Sequence, residues 1–142
     1  MYMPSAAESL KEKNAHLRTM TAPLYVFLGG GAGSVCRYAL GLLLARQGNH
    51  WPWATWACNM VGCLLIGLLL GWFQRRPALA CQLLFVTGFC GGFTTFSTFS
   101  SEVVQLLRSG QTALAAGYAV LSVTVGVACV ALGSWAYSSL SR

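Results

Sequence analysis

Charge is scarce in this chain. Only 8% of its 142 residues are charged, and the acids number three: Glu8, Glu12 and Glu102. Ordinary soluble domains carry about 25% charged residues. Here 56% of residues are hydrophobic and the mean hydropathy is +0.60. A soluble domain of this length has too small an interior for so much apolar surface. The expectation is an integral membrane protein built as one domain.

Other shortages narrow the class further. The two histidines, His16 and His50, stand in polar flanks. The six cysteines (Cys36, Cys58, Cys63, Cys81, Cys90, Cys129) lie in or beside apolar runs, with no C-x-x-C pair and no neighbouring histidine. That pattern excludes a zinc site or a disulfide framework and leaves small buried hydrophobes. The net charge of +6 comes from nine basic residues, most of them at segment ends. They form no dense basic face, so no nucleic-acid partner is expected, and they read as topology and headgroup signals. The first twenty residues are polar and no A-x-A site follows the first apolar run, so no cleavable signal is expected.

What the chain does have is four apolar segments, at about residues 24–45, 53–73, 79–107 and 112–137. About 20 helical residues cross a hydrocarbon core, so each is long enough to span. Residues 1–21 have no sustained apolar stripe and read as a polar N-terminal tail, mobile or lying on the surface. Residues 22–142 form the membrane domain. Its short links, Arg46–Pro52, Gln74–Ala78 and Arg108–Gln111, predict an up-down-up-down bundle with antiparallel neighbours. Tyr25, Trp51, Trp53, Trp56, Trp72, Trp135 and Tyr137 cluster at the segment ends, as interface aromatics do. Lys11, Lys13, Arg18, Arg75, Arg76 and Arg142 fall on one side against Arg46 and Arg108 on the other. This bias favours both termini in the cytoplasm.

The third segment carries the strongest signal, VTGFCGGFTTFSTFSSE over Val86–Glu102. Gly88, Gly91 and Gly92 crowd into five residues, and phenyl and hydroxyl side chains then run unbroken from Phe93 to Phe99. Irregular backbone at bilayer depth is tolerated only inside protein or beside a water-filled path. A break around Gly88–Ser97 therefore predicts an ion or substrate site. Phe89, Phe93, Phe96 and Phe99 recur at helical spacing and are expected on one stripe. The plain reading is core packing, but phenyl edges are positively polarised and can face an anion. Thr94, Thr95, Ser97, Thr98, Ser100 and Ser101 exceed what back-bonding to the helix requires. Carbonyls freed by the break can hold a small hard cation.

Elsewhere, Asn59 is a carboxamide in an uncharged span with Thr55 one turn before it, so it must face protein or water. Arg37 is the sole charge in the first span and reads equally as structural anchor or as a source of positive potential. Tyr118 and Ser122 share a face of the fourth span. Gly29-x-x-x-Gly33 and Gly67-x-x-x-Gly71 are small-residue seams for close helix packing. The run Gly29–Ser34 is not a dinucleotide fingerprint, since no strand precedes it and no acid follows. Glu102 falls near a membrane boundary. No deeper acid exists, which argues against a proton-coupled exporter.

The glycine run ending in Arg37–Tyr38, the Asn59–Gly62–Gly67 span and GFCGGFTTFSTFSSE together resemble the Fluc (CrcB) fluoride channels over about residues 24–137. The resemblance implies an all-α membrane protein of four transmembrane helices, the third broken mid-membrane, assembled as an antiparallel, dual-topology homodimer in the cell (inner) membrane. It implies passive fluoride export and a structural sodium ion at the dimer centre, held by the backbone carbonyls of Gly91 and Thr94. The pore residues it implies are Phe96, Phe99, Asn59, Ser97, Thr98, Thr55, Tyr118 and Ser122, with Arg37 and Glu102 electrostatic or structural. No enzymatic step is expected. Ala54, Thr55 and Trp56 stand where the family motif commonly opens Gly-Thr-Leu, and the hydroxyl is kept. The basic tail favours one orientation, whereas an antiparallel dimer requires both. The competing readings are a small proton-coupled exporter and a non-conducting membrane scaffold.

Overall fold

The computed structural model describes residues 6–44 and 51–140, with side chains from Met20 onward. Helix α1 runs Ala6–Leu44 and α2 runs Trp53–Arg75. The third segment is a composite: a short turn α3 (Leu79–Cys81), a π-helical stretch Gln82–Cys90, the turn α4 (Gly91–Phe93), then α5 (Phe96–Arg108). Helix α6 closes the chain over Thr112–Leu140. Four stretches are long and apolar enough to cross a membrane: Met20–Leu44, Trp53–Arg75, Leu79–Arg108 and Thr112–Leu140. The chain is a multi-pass membrane protein.

From Ala6 the backbone of the polar segment is helical and continuous with the first span, with Pro23 inside the helix. The charge bias read from the sequence rests partly on the tail side chains, Arg46 and Arg142, which lie outside the described residues, as do His50 and the expected first-span end at Ala45. At the other well-marked end, α5 stops in a glycine C-cap. Gly110 takes φ 76, its N–H donates to Leu107 O, and the Gln111 N–H donates to Leu106 O. Both bonds satisfy carbonyls that the last turn leaves open.

The short links predicted an up-down-up-down bundle, in which alternate spans run in the same direction. The tightest seams join those alternate spans. A Cβ on Gly29 would strike Leu84 O, and one on Gly33 would strike Phe89 O. Positions rise together on both strands of that seam, so α1 lies parallel to the first half of the third span. The same holds for α2 and α6, where Gly67 meets Val130 O, Gly71 meets Tyr137, and Gly133 answers against Leu64 O. Without a hydrophobic drive between helices in lipid, backbone approach at small residues decides which faces meet. Both Gly-x-x-x-Gly seams serve that purpose. Antiparallel neighbours also touch: α2 reaches the third span through Asn59 and Thr55, and α5 meets α6 where Phe99 and Leu106 contact Tyr118 and Ala115.

Large apolar side chains cover the outside: Phe27, Val35, Leu43, Val123 and Val127 are all exposed, as helices facing acyl chains require. The buried set is small and includes Cys58, Met60, Phe73, Cys90, Phe93, Leu106 and Tyr118. Two of the expected interface aromatics turn inward. Trp51 and Trp56 pack against the Leu106–Ala115–Tyr118 cluster with their indole nitrogens buried. Trp53, Trp72 and Trp135 face outward. The described cysteines are free, and among the described residues no cluster of His, Cys, Asp or Glu could hold a metal.

Candidate ion pathway at the broken helix

The break falls at Thr94 and Thr95, just after the glycines. Thr94 (φ −86, ψ 158) and Thr95 (φ −150, ψ 118) are extended between α4 and α5. Extended backbone here loses its helical partners, and each loss has to be made good inside protein. Asn59 does so from α2. Its Oδ1 accepts the Thr95 N–H at 2.8 Å, and its Nδ2 donates to Thr95 O at 3.2 Å. Thr95 then caps α5, its Oγ1 accepting the Thr98 N–H at 3.2 Å and donating to Thr98 Oγ1 at 3.0 Å. Side-chain oxygens at this position satisfy an orphan donor of the new helix. The Thr94 N–H and Oγ1 both return to Cys90 O, each at 2.9 Å. Gly62 gives the Thr94 side chain its room, since a Cβ there would strike Thr94 Cγ2.

The end of the first half-helix is closed from α1. Arg37 Nε donates to Gly92 O at 3.1 Å and Ser34 Oγ reaches the same oxygen at 3.4 Å. A cation at a helix C-terminus is favourable with the dipole. Arg37 therefore points into the protein instead of toward headgroups. By contrast, among the described residues no hydrogen bond reaches the carbonyl oxygens of Gly91 or Thr94.

The break also splits the phenylalanine stripe into two pairs, which corrects the expectation of a single face. Phe89 and Phe93 stack at 5.8 Å, with Phe93 buried against the protein. Phe96 and Phe99 pair at 5.7 Å with planes tilted by 40°, and Phe96 is 79% exposed in the protomer. Two extended residues between Phe93 and Phe96 rotate the second pair away from the first. Phe96 and Phe99 border a cavity of about 250 Å³ together with Asn59, Thr95, Cys63 and Ser122. The Ser122 hydroxyl is buried there without a partner among the described residues. No charged side chain lines this space.

Beyond Phe99 the surroundings become polar. The Phe99 ring lies 5.1 Å from that of Tyr118. The Tyr118 OH donates to Glu102 Oε2 at 2.8 Å, and Thr55 Oγ1 donates to Oε1 at 2.6 Å. Glu102 sits about a turn and a half inside the end of α5, deeper than the boundary position read from the sequence, and it joins α2, α5 and α6. On its far side a second cavity of about 370 Å³ is lined by Glu102, Gln105, Ser109 and Gln111.

The structure thus gathers Asn59, Phe96, Phe99 and Ser122 about one cavity and sets Thr55 and Tyr118 on Glu102. Ser97 and Thr98 do not line that cavity. They surround Thr95 Oγ1, with Ser97 Oγ at 3.2 Å, on the exposed side of α5. Sequence reasoning counted Thr95 only among the excess hydroxyls and Cys63 only among small hydrophobes, and assigned neither to the site. The signal for Thr95 was its place as the last hydroxyl before an apolar helix start, which is an N-cap pattern.

Residues 24–134 match the family model described as CrcB-like protein, Camphor Resistance (CrcB). A fluoride-specific ion channel FluC of Phocaeicola vulgatus is 46% identical over 118 residues, covering 82% of this chain and 98% of that protein. Another of the same name from Pseudomonas fluorescens is 48% identical over 122 residues, covering 84% and 95%. One named FluC 1 from Yersinia pestis is 46% identical over 111 residues, covering 77% and 87%. The glycine seams, the broken third helix and these matches over most of the chain agree, and the protein belongs to the Fluc (CrcB) family of fluoride channels.

Proposed function

We propose that the protein is a fluoride channel that lets F⁻ leave the cytoplasm passively across the cell (inner) membrane, working as an antiparallel homodimer. The observation that carries this reading is the uncharged cavity at the break. Two phenyl rings, one amide and one unpartnered hydroxyl border it. Each is a weak donor to an anion: ring edges carry positive polarisation, the second N–H of Asn59 Nδ2 is not needed by Thr95, and Ser122 has a free proton to give. Conduction needs entry without trapping, so several modest contacts suit it better than one strong charge.

The homodimer rests on what the protomer leaves uncovered. Ser97, Thr98, Gly91 and Phe96 are exposed at the break, where lipid would leave polar groups unsatisfied. A second copy inserted in the opposite sense would cover them and duplicate the path. The unbonded carbonyls of Gly91 and Thr94 suit a small hard cation, for which oxygen is the preferred donor. In this reading they would hold a structural sodium ion at the dimer centre, which would join the two broken helices and add positive potential. Fluoride would approach through the cavity at Glu102, whose two oxygens are already held by hydroxyls.

The test is fluoride efflux from sealed liposomes carrying the purified protein, read with a fluoride electrode under a fluoride gradient. The expected result is rapid, valinomycin-dependent F⁻ release with potassium as counter-ion, and no proton requirement. Release that stops without a pH gradient would favour proton-coupled export. Silence in the pure state would favour a membrane scaffold.

A further inference from the structure

The break leaves Gly91 O, Phe93 O and Thr94 O unbonded among the described residues, and two side chains hold the amides that would close the first and the last. In an uninterrupted helix the Thr95 N–H would bond Gly91 O, and the Thr98 N–H would bond Thr94 O, four residues back in each case. Neither bond forms. The Thr95 N–H is taken by Asn59 Oδ1 at 2.8 Å, and the Thr98 N–H is taken by Thr95 Oγ1 at 3.2 Å. Asn59 also occupies Thr95 O, and Arg37 with Ser34 occupies Gly92 O. Gly92 O and Thr95 O are filled, while among the described residues Gly91 O, Phe93 O and Thr94 O accept no hydrogen bond. A side chain on Gly91 would meet nothing within 4 Å, so its Cα faces open space in the protomer.

We propose that Asn59 and Thr95 are positioning residues for a cation site: they intercept the two amide protons that would otherwise close Gly91 O and Thr94 O. This rests on the sodium reading above and deepens it. It also makes Asn59 bifunctional, since the same side chain borders the cavity between Phe96 and Ser122. Cation binding and the anion path are thereby coupled through one carboxamide. Loss of Asn59 returns the Thr95 N–H to Gly91 O. Loss of the Thr95 hydroxyl releases the Thr98 N–H toward Thr94 O.

A sodium titration of thermal stability reads this without flux. The full chain in detergent is heated over a series of NaCl concentrations, with N-methylglucamine chloride holding ionic strength constant. A ligand that binds only the folded state raises the unfolding midpoint with concentration. In the unmodified protein the midpoint rises with sodium. In Asn59→Leu and Thr95→Val the half-effective sodium concentration is expected to rise at least tenfold, while Thr95→Ser restores the original value. Phe96→Ile, which alters the anion path alone, keeps the original sodium response. Should Asn59→Leu fail to fold, the Thr95→Val and Thr95→Ser pair decides. An unshifted sodium response in Thr95→Val overturns the proposal. A flat response in the unmodified protein overturns the sodium reading itself, a failure visible before any variant is made.

Discussion

Tyr118 and Glu102 are joined across the α5–α6 interface by a 2.8 Å hydrogen bond from the phenol to Oε2, and Tyr118 is fully buried. The ring lies beside Phe99 on one side and Trp51 on the other. The pair therefore fixes the carboxylate where the apolar cavity gives way to the polar one. Hydrogen bonds to a charged group contribute about 1.5–3 kcal/mol. Tyr118→Phe should lower stability by about that range and reduce fluoride release several-fold, with Thr55 still holding the other oxygen. Thermal unfolding in detergent and the liposome assay, run on the same preparation, check both parts.

Phe96 is the exposed member of its pair, so its ring contributes little to the packing of its own protomer. Phe96→Ile should leave folding intact and cut fluoride release by about a hundredfold, the scale set by losing roughly 3 kcal/mol of transition stabilisation. Wild-type release with an unchanged elution profile would remove the ring edge from the pathway.

Ser122 separates a structural from a functional hydroxyl. Its Oγ is buried without a partner among the described residues, and leaving such a group unsatisfied costs about 1–3 kcal/mol. Ser122→Ala should therefore keep or raise the unfolding temperature while slowing fluoride. A drop in stability would show that the hydroxyl holds helices together instead.

The glycine seam can be tested by contrast. A methyl at Gly33 meets the backbone at Phe89 O, whereas one at Gly41 meets nothing within 4 Å. Overpacking costs typically about 1–3 kcal/mol, and a backbone that cannot yield puts Gly33→Ala at the upper end. Gly41→Ala should be neutral or slightly stabilising, since alanine is the better helix former by about 1 kcal/mol. Equal unfolding temperatures for the two would refute the seam.

Much of this architecture was legible because lipid leaves few options. Segment length and apolarity give four spans at nearly the observed bounds, and a glycine-rich stretch of hydroxyls points to the third as the broken one. Asn59 was singled out because a lone carboxamide there needs a partner. The break falls inside the expected range Gly88–Ser97, but which residues in that range leave the helix was not legible. The glycines Gly88 and Gly92 sit within helical turns as contact points for α1, where a Cβ on Gly92 would strike Gly30 O. The break falls on two threonines, at which the side chains of Asn59 and Thr95 itself take the liberated N–H groups. Helical periodicity cannot foresee that rotation, so the four phenylalanines read as one stripe.

The sequence alone determined that this chain lives in a bilayer, how many times it crosses, and that one crossing is irregular, because hydrophobic length and backbone satisfaction are local quantities. The tertiary structure decided which helices touch and what Glu102 does. Those outcomes depend on glycines 50 or more residues apart meeting face to face, and on a carboxylate in α5 being reached by hydroxyls from α2 and α6. Only the folded chain brings such distant partners within hydrogen-bonding range.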